Sequence, residues 1–412
     1  MPEIKQQKER FVLVGVATGD EELTKSSLDE LAELVDTAGG ESVAYIIQNR
    51  DSIHPGTYVG TGKILEIKET VFENDATGIV CDDELTAAQI RNLEEELDIT
   101  VLDRTAVILD IFASHATTGE GKLQVELAQL RYRLNRLTGM GKSLTRQGGG
   151  IGTRGPGEKK LEIDRRLIKS RISTIKKELG DVVRHREVMR KSRERNNMVT
   201  VTIVGYTNAG KSTTLNKLTG ANVLEQDQLF ATLDPTTRQL ELESGSKVLL
   251  TDTVGFINKL PHNLVEAFKS TLEEAKYADI ILHVVDASNP EYYKQMHVVY
   301  DTLDMLGVKD KPVITLFNKC DKLDEEESLK DLMAEKSFFV SAKTGQGLED
   351  VLEYIEKILR ERKMLLERVF PYDEVGKIQM IRNKGELLEE SYQENGVFVR
   401  AYVPKEIYGA LL

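Results

Sequence analysis

Residues Gly205-Tyr206-Thr207-Asn208-Ala209-Gly210-Lys211-Ser212 spell a complete GxxxxGKS phosphate loop. An apolar run, Val199 to Val204, precedes it and an amphipathic stretch, Thr213 to Leu218, follows. That is the strand–loop–helix context the motif requires, so this part of the chain must fold as an α/β nucleotide-binding domain. In such a loop, successive backbone N–H groups point at a phosphate and the following helix adds its dipole. Gly205 and Gly210 permit the tight turn, Lys211 is placed to bridge the β- and γ-phosphates, and Ser212 to ligate Mg²⁺.

Three companions follow in order: Asp252-Thr253-Val254-Gly255, Asn318-Lys319-Cys320-Asp321 and Ser341-Ala342-Lys343. The last two select guanine. Asp321 can accept from N1 and N2 of the base, a pattern adenine does not offer. Asn318 reads the same edge, Lys319 lies over the ring, and the Ser341-Ala342 backbone offers an N–H to O6. A polar site built for one base rejects the other by leaving buried groups unpaired. Asp252 ends the apolar run Val248-Leu249-Leu250 and is expected in the Mg²⁺ shell, reached through water. Gly255 can donate its N–H to the γ-phosphate. Thr232 is the expected last Mg²⁺ ligand, with Thr236 and Thr237 as alternatives. Lys211, Thr232, Asp252 and Gly255 are thus the expected catalytic group, and residues 205–213, 252–255, 318, 319, 321 and 341–343 the expected nucleotide contacts.

Phe256 follows Gly255, where many small GTPases carry a water-orienting glutamine. Phenylalanine cannot orient water, so hydrolysis must borrow a partner group, another residue or a metal ion. Asn208 either ligates a potassium ion near the β/γ bridge or only stabilises the loop. Two further glycine patterns are decoys. Gly141-Lys142-Ser143 lacks the first glycine, since position 136 is Arg136; Gly150-Ile151-Gly152-Thr153-Arg154-Gly155 has no preceding strand.

The chain is long enough, at 412 residues, for two to four domains. Its balance of 30% charged and 40% hydrophobic residues is that of an ordinary soluble protein. No apolar run approaches the ~20 residues of a membrane span, and the N-terminus lacks the apolar core of a signal peptide. Two cysteines far apart, Cys81 and Cys320, fit a reducing cytoplasm without a disulfide framework. The formal net charge of −13 argues against a simple nucleic-acid binder, but its distribution does not. From Lys122 to Asn197 there are 21 basic and 8 acidic residues, a net of +13, which leaves −26 elsewhere. One concentrated basic segment suggests a localised polyanion contact.

Four sections are expected. Residues 1–118 alternate strand-like runs (Phe11 to Val16, Val43 to Ile47, Gly78 to Cys81, Ile99 to Leu102) with helical patterns, an α/β domain with a parallel sheet. Residues 119–197 read as a basic helical hairpin. Leu161, Ile168, Ile175, Val182 and Met189 recur every seven residues, and a leucine stripe from Leu123 to Leu137 is their expected partner. Between the helices, residues 139–157 hold eight glycines with Lys142, Arg146 and Arg154 and no acid, which reads as an exposed loop for RNA. Residues 198–364 are the phosphate-loop GTPase domain. Residues 365–412 are a small α+β module; from Val369 on it has a helix-like start, strand-like runs at Glu386 to Ser391 and Val397 to Val403, and a short helical end.

Outside the nucleotide motifs, three stretches are distinctive: His54-Pro55-Gly56-Thr57-Tyr58-Val59-Gly60-Thr61-Gly62-Lys63; Asp103-Arg104-Thr105 through Ser114-His115-Ala116; and Gly148 through Glu158. With Phe230-Ala231-Thr232-Leu233-Asp234, they make the chain, over essentially all of residues 10–412, resemble the HflX family of ribosome-associated GTPases. The resemblance implies a cytoplasmic, monomeric GTPase that associates with ribosomes and binds the large (50S) subunit. It implies an N-terminal region that reaches 23S rRNA near the peptidyl-transferase centre, and a role in splitting or rescuing stalled ribosomes under stress. The alternatives are a nucleotide-gated RNA-binding module whose hydrolysis is incidental, and a GTP-dependent partner in RNA modification. The sequence contains no metal cluster, cysteine–histidine pair or cofactor motif that would make a second catalytic site.

Overall fold

Apolar β-branched runs separated by capped amphipathic stretches fold here into two units. The computed structural model describes residues 8–144, 156–195, 198–220, 229–230, 235–259, 274–323, 329–361 and 363–412. One unit comprises residues 1–184, 226–234 and 254–271; the other comprises 185–225, 235–253 and 272–412.

The first unit opens with β1 (Arg10–Ala17), α1 (Glu21–Thr37), β2 (Glu41–Asn49), α2 (Thr61–Glu73), β3 (Gly78–Cys81), α3 (Ala87–Leu97), β4 (Thr100–Asp103) and α4 (Arg104–His115). The strands form a parallel sheet in the order β2-β1-β3-β4. Residues Phe11–Ala17 of β1 are buried throughout, as a sheet covered on both faces requires. The helix starts are legible in chemistry. Asp20 accepts from the Glu22 N–H, Thr86 and Gln89 form a capping box, and Asp103 accepts from the Ala106 N–H. Chain order reverses between β1 and β3, so the carboxyl ends of these two strands flank a topological switch point.

Helices α5 (Gly119–Leu144) and α6 (Pro156–Arg195) follow. Along α6, Ile175 is fully buried while Arg171, Ser173, Thr174, Lys176 and Lys177 around it are exposed. That contrast marks the heptad seam as the packed face. Arg171 makes a two-pronged bond to Glu126, both prongs 2.7 Å, joining α6 to α5. Both ends of the expected glycine loop at 139–157 are helical, and residues 145–155 lie outside the described residues. Helix α5 runs through Gly139 and Gly141 to Leu144, and α6 begins at Pro156. Proline at a first helical position starts a helix well, and helical neighbours carry single glycines at modest cost.

The second unit contains β5 (Val199–Gly205), α7 (Lys211–Thr219), β6 (Thr236–Glu241), β7 (Lys247–Asp252), β8 (Ile280–Asp286), α8 (Tyr292–Met305), β9 (Val313–Asn318), β10 (Lys336–Phe339) and α9 (Leu348–Glu361). They form a six-stranded sheet, β10-β9-β8-β5-β7-β6, in which only the β6–β7 pairing is antiparallel. A second sheet, β11-β13-β12, belongs to the C-terminal segment: β11 (Lys363–Phe370), α10 (Val375–Lys384), β12 (Glu386–Gln393), β13 (Gly396–Pro404) and α11 (Lys405–Leu411). Its core joins Leu366, Phe370, Ile378, Ile381, Val399 and Leu411. The segment starts with a strand that was not expected, and the helix expected from Val369 on is α10. Strand β11 escaped the sequence reading because Lys-Met-Leu-Leu-Glu-Arg-Val-Phe directly extends an amphipathic helical pattern.

Candidate nucleotide site

The phosphate loop joins β5 to α7, and its backbone explains its residues. Gly205 has φ +156, and a Cβ there would stand 2.2 Å from the Val284 carbonyl oxygen. Gly210 has φ +96, and a Cβ there would stand 2.2 Å from Asn318 Nδ2. Any side chain at either position would break the loop. Asn208, with φ +59, occupies the left-handed region that asparagine tolerates, and it is exposed. Tyr206, Thr207 and Ala209 are buried beneath the loop. Thr213 is partly buried in the first turn of α7.

Lys211 is buried, and its Nζ donates to the Tyr206 carbonyl oxygen at 2.7 Å. Burial lowers its pKa to about 8, an effect that the Asp252 carboxylate partly offsets. Ser212 Oγ donates to Asp252 Oδ2 at 2.7 Å, so hydroxyl and carboxylate converge beside the loop. Hard oxygen donors of this kind suit Mg²⁺, which prefers a carboxylate, a hydroxyl and waters to nitrogen or sulfur. Thr253 Oγ1 donates to the Ile203 carbonyl at 2.8 Å, tying the segment after β7 to β5. Val254 and Gly255 are buried, as is Phe256.

Asn318 joins the loops. Its Nδ2 donates to the Ala209 carbonyl at 2.8 Å, and its Oδ1 accepts the Ala342 N–H at 2.9 Å. The expected base-reading carboxamide and the expected O6 donor are thus bonded to each other, which holds the guanine-motif loops against the phosphate loop. Lys319, at φ +63, donates to the Asn208 carbonyl at 2.9 Å and to Asp286 Oδ2 at 2.7 Å. Asp286, at the end of β8, was not singled out from the sequence; its only sequence signal is that it ends an apolar strand. Asp321 is exposed, and a hydrogen bond from the Ser341 hydroxyl holds its carboxyl below the ordinary range. Ser341 is buried and Lys343 exposed.

Thr232, Arg146 and Arg154 lie outside the described residues; Lys142 lies on α5, its side chain outside them. Of the alternative threonines, Thr237 Oγ1 is hydrogen-bonded to Thr251 Oγ1 at 3.0 Å across the β6–β7 pair. On the hairpin, two arginines are bound within the protein. Arg136 packs its guanidinium 4.0 Å over the Tyr132 ring and lies 3.5 Å from Asp103 Oδ2. Arg171 is held by Glu126. Arg133, Arg166, Lys169, Lys176 and Lys177 are exposed.

Three families match the chain in succession: "GTP-binding GTPase N-terminal" over residues 25–113, "GTP-binding GTPase Middle Region" over 115–193 and "50S ribosome-binding GTPase" over 200–319. A GTPase HflX from Lacrimispora saccharolytica is 63% identical over 409 residues, covering 99% of this chain and 97% of the relative. One from Caldanaerobacter subterraneus subsp. tengcongensis is 47% identical, covering 99% and 94%. A solved GDP complex of a GTP-binding protein from Sulfolobus solfataricus is similar at 24% identity and a TM-score of 0.44, covering 85% of this chain and 98% of that one. Among the described residues, no helix is long and apolar enough to cross a membrane. Full-length identity of this order, with the nucleotide motifs set in a phosphate-loop domain, means that the chain belongs to the HflX family of GTPases and hydrolyses GTP.

Proposed function

We propose that this GTPase acts on the large ribosomal subunit, splitting or rescuing stalled ribosomes under stress in the cytoplasm, as a monomer. The observation that carries this reading is the hairpin of α5 and α6, whose exposed cations lie in a segment of net charge +13 within an acidic chain. Such a surface fits the phosphates of 23S rRNA, and the glycine-rich residues at its tip suit close backbone approach to RNA. Arg146, Arg154 and Lys142 are the proposed contacts there.

The catalytic reading follows from the residues around the loop. Lys211 exchanges its Tyr206 carbonyl partner for the β- and γ-phosphate oxygens, and loop N–H groups cradle the β-phosphate. Ser212 and Asp252 would hold Mg²⁺, with Thr232 completing the shell, and the ion would supply charge neutralisation for the transferring phosphoryl group. Gly255 donates its N–H to the γ-phosphate. Asp321 accepts from the guanine edge, Lys319 covers the ring, and Asn318, Ser341, Ala342 and Lys343 frame the pocket. Phe256 is buried and has no group to orient water, which supports a basal rate that the ribosome raises. The exposed Asn208 carboxamide is the proposed potassium ligand. Hydrolysis should then run faster in potassium than in sodium, and Asn208→Ala should erase the difference; equal rates in both salts remove the role.

The functional reading is tested by mixing the protein with intact 70S ribosomes and following subunits by sedimentation. A GTP analogue should shift ribosomes to free subunits, and GDP should not. Ribosomes that stay intact with either nucleotide would leave binding without splitting.

A further inference from the structure

Asp82 and Asp83 follow β3 directly, at the topological switch point of the N-terminal sheet, where doubly wound folds take up ligands. The group between them is a side chain of this protein. Lys259 Nζ lies 2.5 Å from Asp82 Oδ2 and 2.8 Å from Asp83 Oδ1. Lys259 stands four residues after Gly255, in the same segment as the buried Phe256 and Ile257. Its backbone has φ +52, unfavourable for a lysine and held by its surroundings.

The carboxylates are themselves fixed, each by one of the distinctive N-terminal stretches. Asp82 has a 1% exposed side chain. It accepts from Arg104 Nη1 at 2.9 Å and Ser27 Oγ at 2.8 Å, and its N–H donates to the Val14 carbonyl. Asp83 accepts from the Tyr58 hydroxyl at 2.6 Å. Tyr58, at φ +67, closes the turn that starts at His54, through paired 3.0 Å backbone bonds to that residue. Arg104 also pairs with Glu30, so Arg104 and Lys259 together bridge Asp82, Asp83 and Glu30. Losing the lysine would take one cation from Asp82 and Asp83 in a mostly buried cluster, a costly change. Burial alone would lower the lysine's pKa; the two carboxylates outweigh it and raise it.

We propose that Lys259 is a positioning residue for GTP hydrolysis: clasped by Asp82 and Asp83, it holds the Gly255–Phe256 segment where the Gly255 N–H meets the γ-phosphate. The inference rests on the role given above to Gly255, and the test separates the two. In the full chain, Lys259→Met keeps the aliphatic stem and removes the charge. Its single-turnover hydrolysis should fall at least about fivefold with GTP-analogue affinity within about twofold, because the phosphate-loop and base contacts lie elsewhere and the single Gly255 N–H is the phosphate contact affected. Lys259→Arg should keep the rate within about twofold, restoring the cation. Asp83→Asn should also slow hydrolysis, and the double variant should be no slower than Lys259→Met, since both remove one interaction. A Lys259→Met rate at or above that of the parent, a Lys259→Arg variant as slow as Lys259→Met, or additive losses in the double variant would each overturn the proposal. Gly255→Ala supplies the separation. If it is slow while Lys259→Met keeps the parental rate, the clasp alone is wrong. If Gly255→Ala hydrolyses GTP at the parental rate, the γ-phosphate reading of Gly255 fails and the proposal with it.

Discussion

At the scale of single residues, Lys211 carries the clearest electrostatic consequence. Even with the Asp252 carboxylate as counter-charge, burial lowers its pKa to about 8, below the ordinary lysine value of 10.5. A lysine lowered in this way favours its neutral form, so fold stability rises with pH across the window from 8 to 10.5, where the unfolded chain binds the extra proton. Phosphate oxygens reverse the balance, and triphosphate binding should take up a proton above pH 8. Affinity for a GTP analogue should therefore decline from pH 8 to 9 by up to about tenfold per unit. Titration calorimetry in buffers of different ionisation enthalpy measures both affinity and proton uptake; flat affinity with no uptake would contradict the perturbed lysine. The exposed Asp321 invites a second substitution. Asp321→Asn should lose guanine affinity by about two orders of magnitude or more and gain xanthine, because an acceptor for N1–H and N2–H becomes a donor. Wild-type GTP affinity in this variant, measured by competition with XTP, would remove Asp321 from base recognition. Residues of this kind were legible in sequence because each motif carries its chemistry within a few positions. The bond from Lys259 to Asp82 was not, because it spans 177 positions and spacing says nothing about which charges a fold brings together. The pairing of Arg136 with Asp103 was hidden for the same reason, since the two belong to different elements.

At the scale of elements, periodicity read well where a face was continuously apolar. Strand β3 and helix α3 lie where their patterns place them, and Ile175 on the heptad seam is fully buried. Composition read less well. Glycine frequency at 139–157 suggested a loop throughout, yet helix formers such as Met140, Lys142 and Leu144 carry α5 past two glycines. Strand β11 was hidden because its residues suit either period, and only pairing with β13 decides between them. The hairpin gives a prediction at this level. Deleting residues 145–155 removes the tip between α5 and α6 while leaving the second unit's phosphate loop intact. GTP-analogue affinity should stay within about twofold, while association with 50S subunits should weaken at least about tenfold through lost phosphate contacts. Side-by-side fluorescence titration and co-sedimentation give both values. Normal 50S association would reduce the basic tip to a charged connector.

At the scale of the whole molecule, the charge division sets how the protein meets its partner. A net of −13 discourages indiscriminate binding to RNA, while the +13 of residues 122–197 concentrates attraction in one segment. Association should accordingly weaken steeply as salt rises, each neutralised phosphate releasing counterions. The GTPase chemistry supplies the complement to this surface. A phosphate-loop site with Phe256 in place of a water-orienting side chain should hydrolyse GTP slowly until another group intervenes. The measurement that bears most directly on this account is single-turnover GTP hydrolysis by the full chain, with and without purified 50S subunits, at moderate salt. Hydrolysis without subunits should run well below the ~1–100 s⁻¹ of typical phosphoryl-transfer enzymes, and saturating 50S should raise it at least about tenfold. A rate that 50S subunits leave unchanged would contradict the account.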